Sequence, residues 1–429
     1  SALQPPAVFS HHHLHFHLRH TTNLLQRIQK PTMSCAALVL NQHKHDEETM
    51  AVEQSPASSQ GTPVRHSILG PPYRWLQIDC QCYYSENLYV HSVNAYFRLP
   101  SLNSSEAEFW AANNSSLGTD RSPAPTYNTA QRADIYREVM KEACRRAKIP
   151  EVYRTNLLNI AEQYTPLHPE LFLPPIATEN PGSGGGHELG PGLDLQSVFT
   201  STFLKVWKSA CSGEPLPQDL RHVHDACFEC SFLQRDFCLR IKEELKHFKT
   251  KDLPHLRPNS MNRNGCILNE IGLGPLMDRI VGTFLLPVCN ILYPELLETG
   301  LSAHHSFIVD YAVGQDVSLG VHDDNSEITI NVALSEDYEG GSLALYHRAR
   351  VEHPQRLEKK PYYHRVGMGT LLMHPGELLH EVLPLTSGER QGLIIWMKSD
   401  GFRKTNGCAL CRSNKTLLFA NEHNASPEL

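Results

Sequence analysis

Three adjacent polar side chains, His322, Asp323 and Asp324, have the residue types and spacing for metal chemistry. They end the stretch LGVHDD (319–324), and the alternating run EITINVAL (327–334) follows. Neighbouring side chains in a strand point to opposite faces, so His322 and Asp324 can converge on one ion while Asp323 points away. The pair therefore predicts a metal site. The alternative is a surface histidine and two solvated aspartates in a turn, which would have the same sequence.

A metal site needs a third ligand, and four downstream histidines can supply it: His353, His364, His374 and His380. The first two lie in a polar insertion rich in Lys and Arg, the third precedes a Pro-Gly turn, and the fourth begins the segment after that turn. Ten residues beyond His380 stands Arg390, at the head of an apolar strand. A guanidinium at that position can bind a carboxylate through two hydrogen bonds.

The strand after the His-x-Asp pair has two possible registers. Its apolar face carries Ile328, Ile330, Val332 and Leu334, and its other face carries Thr329, Asn331 and Ala333. If the turn at 325–327 shifts the register by one residue, the polar face looks toward the metal; otherwise the apolar face does. Both registers remain open on the sequence alone.

Short β-type segments punctuated by Gly or Pro fill the chain after Ser302 and favour a sandwich or barrel over alternating β-α units. Upstream, residues 231–249 and 274–294 have helical periodicity, with Ser231 as the expected N-cap of the first and Pro287 interrupting the second. We predict an α+β fold: a double-stranded β-helix (jelly-roll) core, buttressed by helices, with a separate N-terminal region.

The predicted organisation has six parts. They are a disordered or non-native leader (1–70), an N-terminal region with a small β element and a helix (71–175), a Gly/Pro-rich linker (176–200), a helical support region (201–301), the jelly-roll domain (302–400) and a tail (401–429). The N-terminal helix is expected to stop before Pro150. The His-rich tract at 11–20 is more typical of a disordered segment than of a metal site.

Composition narrows the classes of function. The 429 residues are 40% apolar and 20% charged, as in a globular protein, and no apolar run approaches the roughly 20 residues of a membrane span. The formal charge of −7 disfavours nucleic acid as a partner. Twelve dilute cysteines and no signal-like pattern predict a reducing, intracellular location, cytoplasmic or nuclear.

The His-x-Asp pair, the distal histidine and the arginine ten residues later resemble the pattern of the Fe(II)/2-oxoglutarate-dependent dioxygenases. Residues 305–398 are especially similar to the catalytic domain of procollagen lysyl hydroxylases. The segments ENLYV (86–90) and 247–273 extend the resemblance to the group of 2-oxoglutarate and iron-dependent oxygenase domain-containing proteins 2. Nothing here resembles the glycosyltransferase portions or the secretory signal of lysyl hydroxylases, which argues against activity on collagen.

The resemblance implies the site and the reaction. The implied residues are the catalytic iron ligands His322, Asp324 and His380 and the 2-oxoglutarate contacts Arg390, Tyr311 and Asn331. The implied cofactors and cosubstrates are Fe(II), 2-oxoglutarate, O2 and L-ascorbate. The implied reaction hydroxylates a lysine or proline side chain of a protein or peptide, releasing succinate and CO2. The alternatives are a nucleic-acid demethylase of the same chemistry and a non-catalytic module that binds 2-oxoglutarate or a partner protein.

Three cysteine pairs have ligand-like spacing: Cys80/Cys82, Cys227/Cys230 and Cys408/Cys411. Two such pairs could form a four-cysteine zinc site that links the N- and C-terminal ends. The alternative is that they are buried apolar residues.

The segment 347–366 is rich in Arg and Lys within an acidic chain. One hypothesis is a lid that faces the substrate and favours an acidic peptide; the alternative is an ordinary solvated insertion.

Overall fold

The structure is a computed structural model that describes residues 80–85, 88–90, 92–93, 95–113, 127–174, 189, 192–346, 361–365, 367–409 and 411–412. Its helices are α1 (Gln81–Ser85), α2 (Glu106–Asn113), α3 (Thr129–Gln163), α4 (Leu195–Val198), α5 (Ser201–Ser212), α6 (Arg235–Lys249), α7 (Gly274–Arg279), α8 (Leu286–Leu292) and α9 (Asp400–Asn406). Its strands are β1 (Leu88–Val90), β2 (Ala95–Phe97), β3 (Arg221–His224), β4 (Cys227–Ser231), β5 (Gly265–Ile267), β6 (Ala303–Ala312), β7 (Leu319–His322), β8 (Ile328–Ala333), β9 (Tyr338–Gly340), β10 (Leu343–Leu345), β11 (Tyr362–His364), β12 (Thr370–Pro375), β13 (His380–Val382) and β14 (Leu385–Lys398). The leader, the Gly-rich part of the linker and most of segment 347–366 lie outside the described residues.

Two antiparallel sheets form the core. The smaller has the strand order β11-β10-β13-β7, and the larger has the order β3-β4-β12-β8-β14-β6-β5, with β9 paired to β14. Strands from both sheets contribute to one apolar cluster, which includes Phe307, Leu343, Val382 and Ile394. Two facing sheets with crossing connections are the jelly-roll arrangement, so the predicted α+β fold is confirmed.

The long strand β14 organises the larger sheet. It pairs with β6 from Glu389↔Ala312 to Lys398↔Ala303, and with β8 and β9 along its other edge. Leu393, Ile395 and Met397 on one face join the core under the helices, while Ile394 on the other face joins the cluster between the sheets. Both faces of this sheet are buried, which holds the strands that carry the polar residues of the site.

Helices cover the outer face of the larger sheet. The predicted apolar stripe of α6 (Phe237, Ile241, Leu245 and Phe248) is buried there. The predicted cap is wrong: Gln234 is the N-cap, and Ser231 ends β4, because the strand pairing with β12 extends that far.

The second predicted helix is interrupted as expected around Pro287. A π-helical turn, Ile280–Leu285, separates α7 from α8, and Pro287 occupies the first turn of α8. By length and composition alone, Gly274–Leu292 could cross a membrane. The prediction that no apolar run approaches the length of a membrane span is therefore wrong for this stretch. Its buried residues, among them Phe284, pack in the core beneath the larger sheet.

The N-terminal region contains the β1–β2 hairpin, α2 and α3. Ile135, Val139 and Ala143 of α3 pack against this small unit as predicted. The prediction that the helix stops before Pro150 is wrong, since α3 continues to Gln163. Ile149 and Tyr153 are buried in the jelly-roll cluster on both sides of the proline, and this packing outweighs the hydrogen bond that proline cannot donate.

Strands β3, β4 and β5 lie in the region predicted to be helical support. β4 pairs with β12 and β5 pairs with β6, so this region also extends the larger sheet. β5 approaches β6 so closely that a Cβ on Gly265 would lie 1.9 Å from the backbone oxygen of Ile308. Only glycine allows this pairing at the positive φ of +128°.

Candidate metal centre and adjoining cavities

Three side chains, His322, Asp324 and His380, form a buried cluster, here called the triad. His322 ends β7, and His380 begins β13 directly opposite it in the register. The Nε2 atoms of His322 and His380 lie 3.6 Å and 3.5 Å from the two carboxylate oxygens of Asp324. This donor set is the one that iron(II) takes in its two-histidine, one-carboxylate sites.

Backbone carbonyls fix the orientation of both imidazoles. His322 Nδ1 donates to the Gly320 oxygen and His380 Nδ1 donates to the Leu378 oxygen, each at 2.8 Å. With the proton on Nδ1, each Nε2 keeps its lone pair toward the cluster. Burial, with a smaller effect of the His380 ring, holds the pKa of His322 well below its usual range, so the ring is the neutral ligand form.

The Asp324 carboxylate is held from β8. The Thr329 hydroxyl donates to Asp324 Oδ2 at 2.7 Å, and the Asp324 amide donates to the Gly376 oxygen at 2.8 Å. The bend at 325–327 therefore shifts the register so that the polar face with Thr329 and Asn331 looks into the site. Of the two registers of β8 that the sequence left open, the structure has the one in which the polar face looks toward the triad.

The other candidate histidines have different partners. His374 is fully buried; its Nδ1 donates to the Pro375 oxygen, and its Nε2 accepts from the Asn331 amide at 3.0 Å. Burial is the main reason that its pKa falls to about 4. His364 pairs with Glu229. His353 lies outside the described residues.

A cavity of about 370 Å³ adjoins the triad inside the jelly roll. Arg390, Tyr311 and Asn331 line it together with all three triad residues, so the structure brings every predicted site residue to one cavity. The Arg390 guanidinium lies 5.1 Å from the centre of the Tyr311 ring. Among the residues that the structure describes, Arg390 has no carboxylate partner, which leaves its charge available for an anionic ligand.

Asn262 is a residue of this cavity that the sequence reasoning missed. Its amide donates to the Tyr311 hydroxyl at 3.0 Å, and its side chain is buried. The contact orients that hydroxyl within the cavity. Asn262 belongs to the polar segment RPNSMNRNG, where no periodicity marks one residue as inward-facing.

A second cavity of about 730 Å³ also borders His322. Tyr83 and Tyr96 from the N-terminal region line it, together with Asp323. This position agrees with the prediction from strand parity, because Asp324 belongs to the triad and Asp323 does not. The carboxylate that is not in the triad thus borders the larger cavity.

Cationic side chains of the larger cavity are held by an internal carboxylate. Arg145 and Arg257 line this cavity, and both donate to Glu142, at 2.8 Å and 2.7 Å. Burial alone would raise the pKa of Glu142, but Arg145, Arg146 and Arg257 hold it down to about 2. Glu142 therefore offsets part of the positive charge on this wall.

Comparison with known proteins assigns the family. A family model described as an OGFOD2-like domain matches residues 192–298, the segment before the main strands of the jelly roll. The 2-oxoglutarate and iron-dependent oxygenase domain-containing protein 2 of Mus musculus is 31% identical over 345 residues, covering 79% of this chain and 90% of its own. The chain belongs to this family of 2-oxoglutarate-dependent oxygenases. The recognition made from the sequence is confirmed, and the protein is an oxidoreductase.

Two further similarities cover only part of this chain. Human procollagen-lysine,2-oxoglutarate 5-dioxygenase 1 is 30% identical over 166 residues, which are 36% of this chain and 21% of that protein. A Pseudomonas putida prolyl-4-hydroxylase of known structure is 16% identical, and the match covers 47% of this chain and 95% of that one, with a TM-score of 0.30. Neither similarity defines the substrate of this oxygenase.

Proposed function

We propose that this oxygenase hydroxylates a lysine side chain of a protein or peptide, with proline as the second candidate, and that the triad binds its iron. The observation that carries the proposal is that His322 lines two cavities, one with Arg390 and one with Asp323. The smaller cavity contains Arg390, and the larger one opens beside Asp323. One cavity can hold the cosubstrate while the other admits a side chain.

Iron(II) fits the triad. Both Nε2 atoms and the Asp324 carboxylate face one point, and the Nδ1 hydrogen bonds favour the tautomer that a metal needs. When bound there, iron(II) would use O2 and 2-oxoglutarate to hydroxylate a C–H bond, releasing succinate and CO2. We also expect L-ascorbate to restore iron that becomes oxidised without product formation.

The chain's own residues would orient 2-oxoglutarate. Arg390 would pair with the carboxylate remote from the metal, and the Tyr311 hydroxyl, held by Asn262, would add a hydrogen bond. Apolar side chains, among them Phe307 and Ile394, line the rest of the cavity and keep water out. Asn331 lines the same cavity, but its amide is committed to His374, so we assign it a positioning role.

The larger cavity supports lysine ahead of proline. Asp323 follows the iron ligand His322 directly, so its carboxylate can pair with an ammonium while a neighbouring methylene faces the metal. Tyr83, Tyr96 and Trp396 offer apolar surface to the aliphatic part of either side chain. The partial likeness to a lysyl hydroxylase supports the same choice.

An anionic polymer fits this cavity less well. Glu142 already holds Arg145 and Arg257, and the whole chain has a formal charge of −7. Arginines that already pair with an internal carboxylate release fewer counterions when they bind phosphate, and counterion release is the main source of nucleic-acid affinity. We therefore do not assign demethylation of a nucleic acid to this oxygenase.

The test is succinate formation and oxygen incorporation with lysine- and proline-containing peptide libraries, analysed by mass spectrometry. We expect a mass gain of one oxygen atom on lysine, coupled to succinate. Asp323→Asn should raise the KM for the lysine peptide about 10- to 100-fold, the value of one hydrogen bond to a charged group, and leave a proline peptide unaffected. Glu339→Gln, which changes an exposed carboxylate outside both cavities, is the matched control.

Three outcomes would contradict parts of the proposal. Oxygen on proline peptides alone would replace lysine by proline. Oxygen on a nucleic acid would replace both. If the chain binds 2-oxoglutarate but forms no succinate under any condition, the protein is a non-catalytic binding module.

A further inference from the structure

Four cysteine side chains from distant parts of the sequence meet outside the jelly roll. They are Cys80 and Cys82 at α1 and Cys408 and Cys411 after α9, here called the cysteine cluster. The Sγ atoms of Cys82 and Cys408 are 3.1 Å apart, those of Cys80 and Cys411 are 3.5 Å apart, and all four lie within 4.8 Å of one another. We propose that the cysteine cluster binds one structural zinc ion.

The spacing of the sulfurs fits a tetrahedral ion. With a Zn–S distance of about 2.3 Å, four thiolates around zinc lie roughly 3.8 Å from one another. The observed range from 3.1 Å to within 4.8 Å brackets that value, so the sulfurs need to move by less than about 1 Å. All four cysteines are free thiols, and the closest pair is well beyond a disulfide bond of roughly 2.05 Å. Zinc would bind as the thiols release their protons to solvent.

The backbone around Cys408 is shaped for this arrangement. Gly407 ends α9 at φ +80° and ψ 166°, a region that essentially only glycine occupies. A Cβ on Gly407 would also lie 3.1 Å from the Cβ of Cys411. The Cys411 amide donates to Cys408 Sγ at 3.5 Å, a hydrogen bond that a thiolate ligand accepts well.

The third cysteine pair has a different environment. Cys227 and Cys230 lie in β4 with buried side chains in two different apolar clusters, one between the sheets and one beneath the helices. They therefore cannot share an ion, and the interpretation as buried apolar residues holds for them. The contrast indicates that spacing alone does not create the cysteine cluster.

Zinc would tie the wall of the larger cavity to the loops of the triad. Tyr83, next to Cys82, lines that cavity. On the other side, Arg412 Nε donates to Glu377 Oε2 at 2.9 Å, in the turn before the last histidine of the triad. Arg403 donates to the Asn325 oxygen at 2.9 Å, directly after the triad aspartate. The proposed ion thus joins the two chain segments that flank the site.

The test is the metal content of the full chain purified under reducing conditions. We expect about one zinc per chain in the parent, and almost none after Cys408→Ser/Cys411→Ser or after Cys80→Ser/Cys82→Ser. Because zinc can also occupy a two-histidine, one-carboxylate site, His322→Ala/His380→Ala is essential and should retain the zinc. Cys211→Ser, at an exposed thiol, is the matched control and should also retain it.

Cobalt(II) substitution of the parent keeps the test decisive if a cysteine variant fails to fold. Cobalt at four thiolates gives intense tetrahedral visible bands and thiolate-to-metal charge transfer, and we expect both. Zinc lost only from the histidine variant, cobalt without these features, or iron at the cysteines would each overturn the proposal. So would two disulfides, seen as a loss of four hydrogen atoms in the intact mass of metal-free protein.

Discussion

Replacing Arg390 by methionine tests how the smaller cavity selects its ligand. Arg390 lines the cavity that adjoins the triad, next to the Tyr311 ring, and it has no carboxylate partner among the described residues. Removing one partner of a buried charge pair costs about 2–5 kcal/mol, and Arg390 is only half-buried, so we take about 2–3 kcal/mol. The Kd of 2-oxoglutarate should therefore rise about 30- to 150-fold.

The assay is equilibrium binding of 2-oxoglutarate to the iron-loaded chain, alongside a separate measurement of iron binding. Iron affinity should stay unchanged, and Arg390→Lys should recover part of the loss because it keeps the charge without the planar fork. The analogue 2-oxopentanoate, which lacks the remote carboxylate, should bind equally weakly to the parent and to Arg390→Met. A change below about threefold for 2-oxoglutarate, or an equal loss for both ligands, would refute the assigned role of Arg390.

Two further predictions concern the support of the site and the buried core. Thr329→Val removes the hydrogen bond to Asp324 and should weaken iron binding about 10- to 100-fold, whereas Thr329→Ser should not; equal binding by both variants would contradict this. Burial raises the pKa of Glu270 from 4.5 to about 7. The protonated carboxyl therefore stabilises the folded state fully below pH 4.5, and this stabilisation is lost as the pH rises through 7. The unfolding free energy of Glu270→Gln minus that of the parent should therefore increase by about 3 kcal/mol from pH 4.5 to about pH 8. Urea denaturation at each pH measures both free energies. A difference that does not change with pH would contradict it.

The elements that depend on local pattern could be predicted from the sequence. The strands after Ser302 follow from short β-branched segments between Gly and Pro. His322 and Asp324 converge as strand parity predicts, and the chain keeps that alternation for two residues past the end of β7. The register of β8 could not be predicted, because it depends on a bend at 325–327 whose conformation is fixed by long-range contacts. One of them is the hydrogen bond from the Asp324 amide to the Gly376 oxygen.

Features that depend on tertiary packing were missed. α3 continues through Pro150 because Ile149 and Tyr153 are buried on both sides of it. β5 has only three residues, and its pairing partner β6 lies far along the chain, so periodicity could not identify it. Asn262 reaches Tyr311 from an aperiodic segment. In each case the deciding contact lies between residues distant in sequence.

The central claim is that Asp324, with His322 and His380, holds the iron of this oxygenase. The most direct test is iron(II) binding and 2-oxoglutarate-dependent succinate formation by the parent and Asp324→Ala, with Asp323→Ala as the control for iron binding. We predict that Asp324→Ala loses both iron binding and succinate formation, and that Asp323→Ala still binds about one iron per chain. Iron binding and succinate formation by Asp324→Ala at the level of the parent would contradict the account.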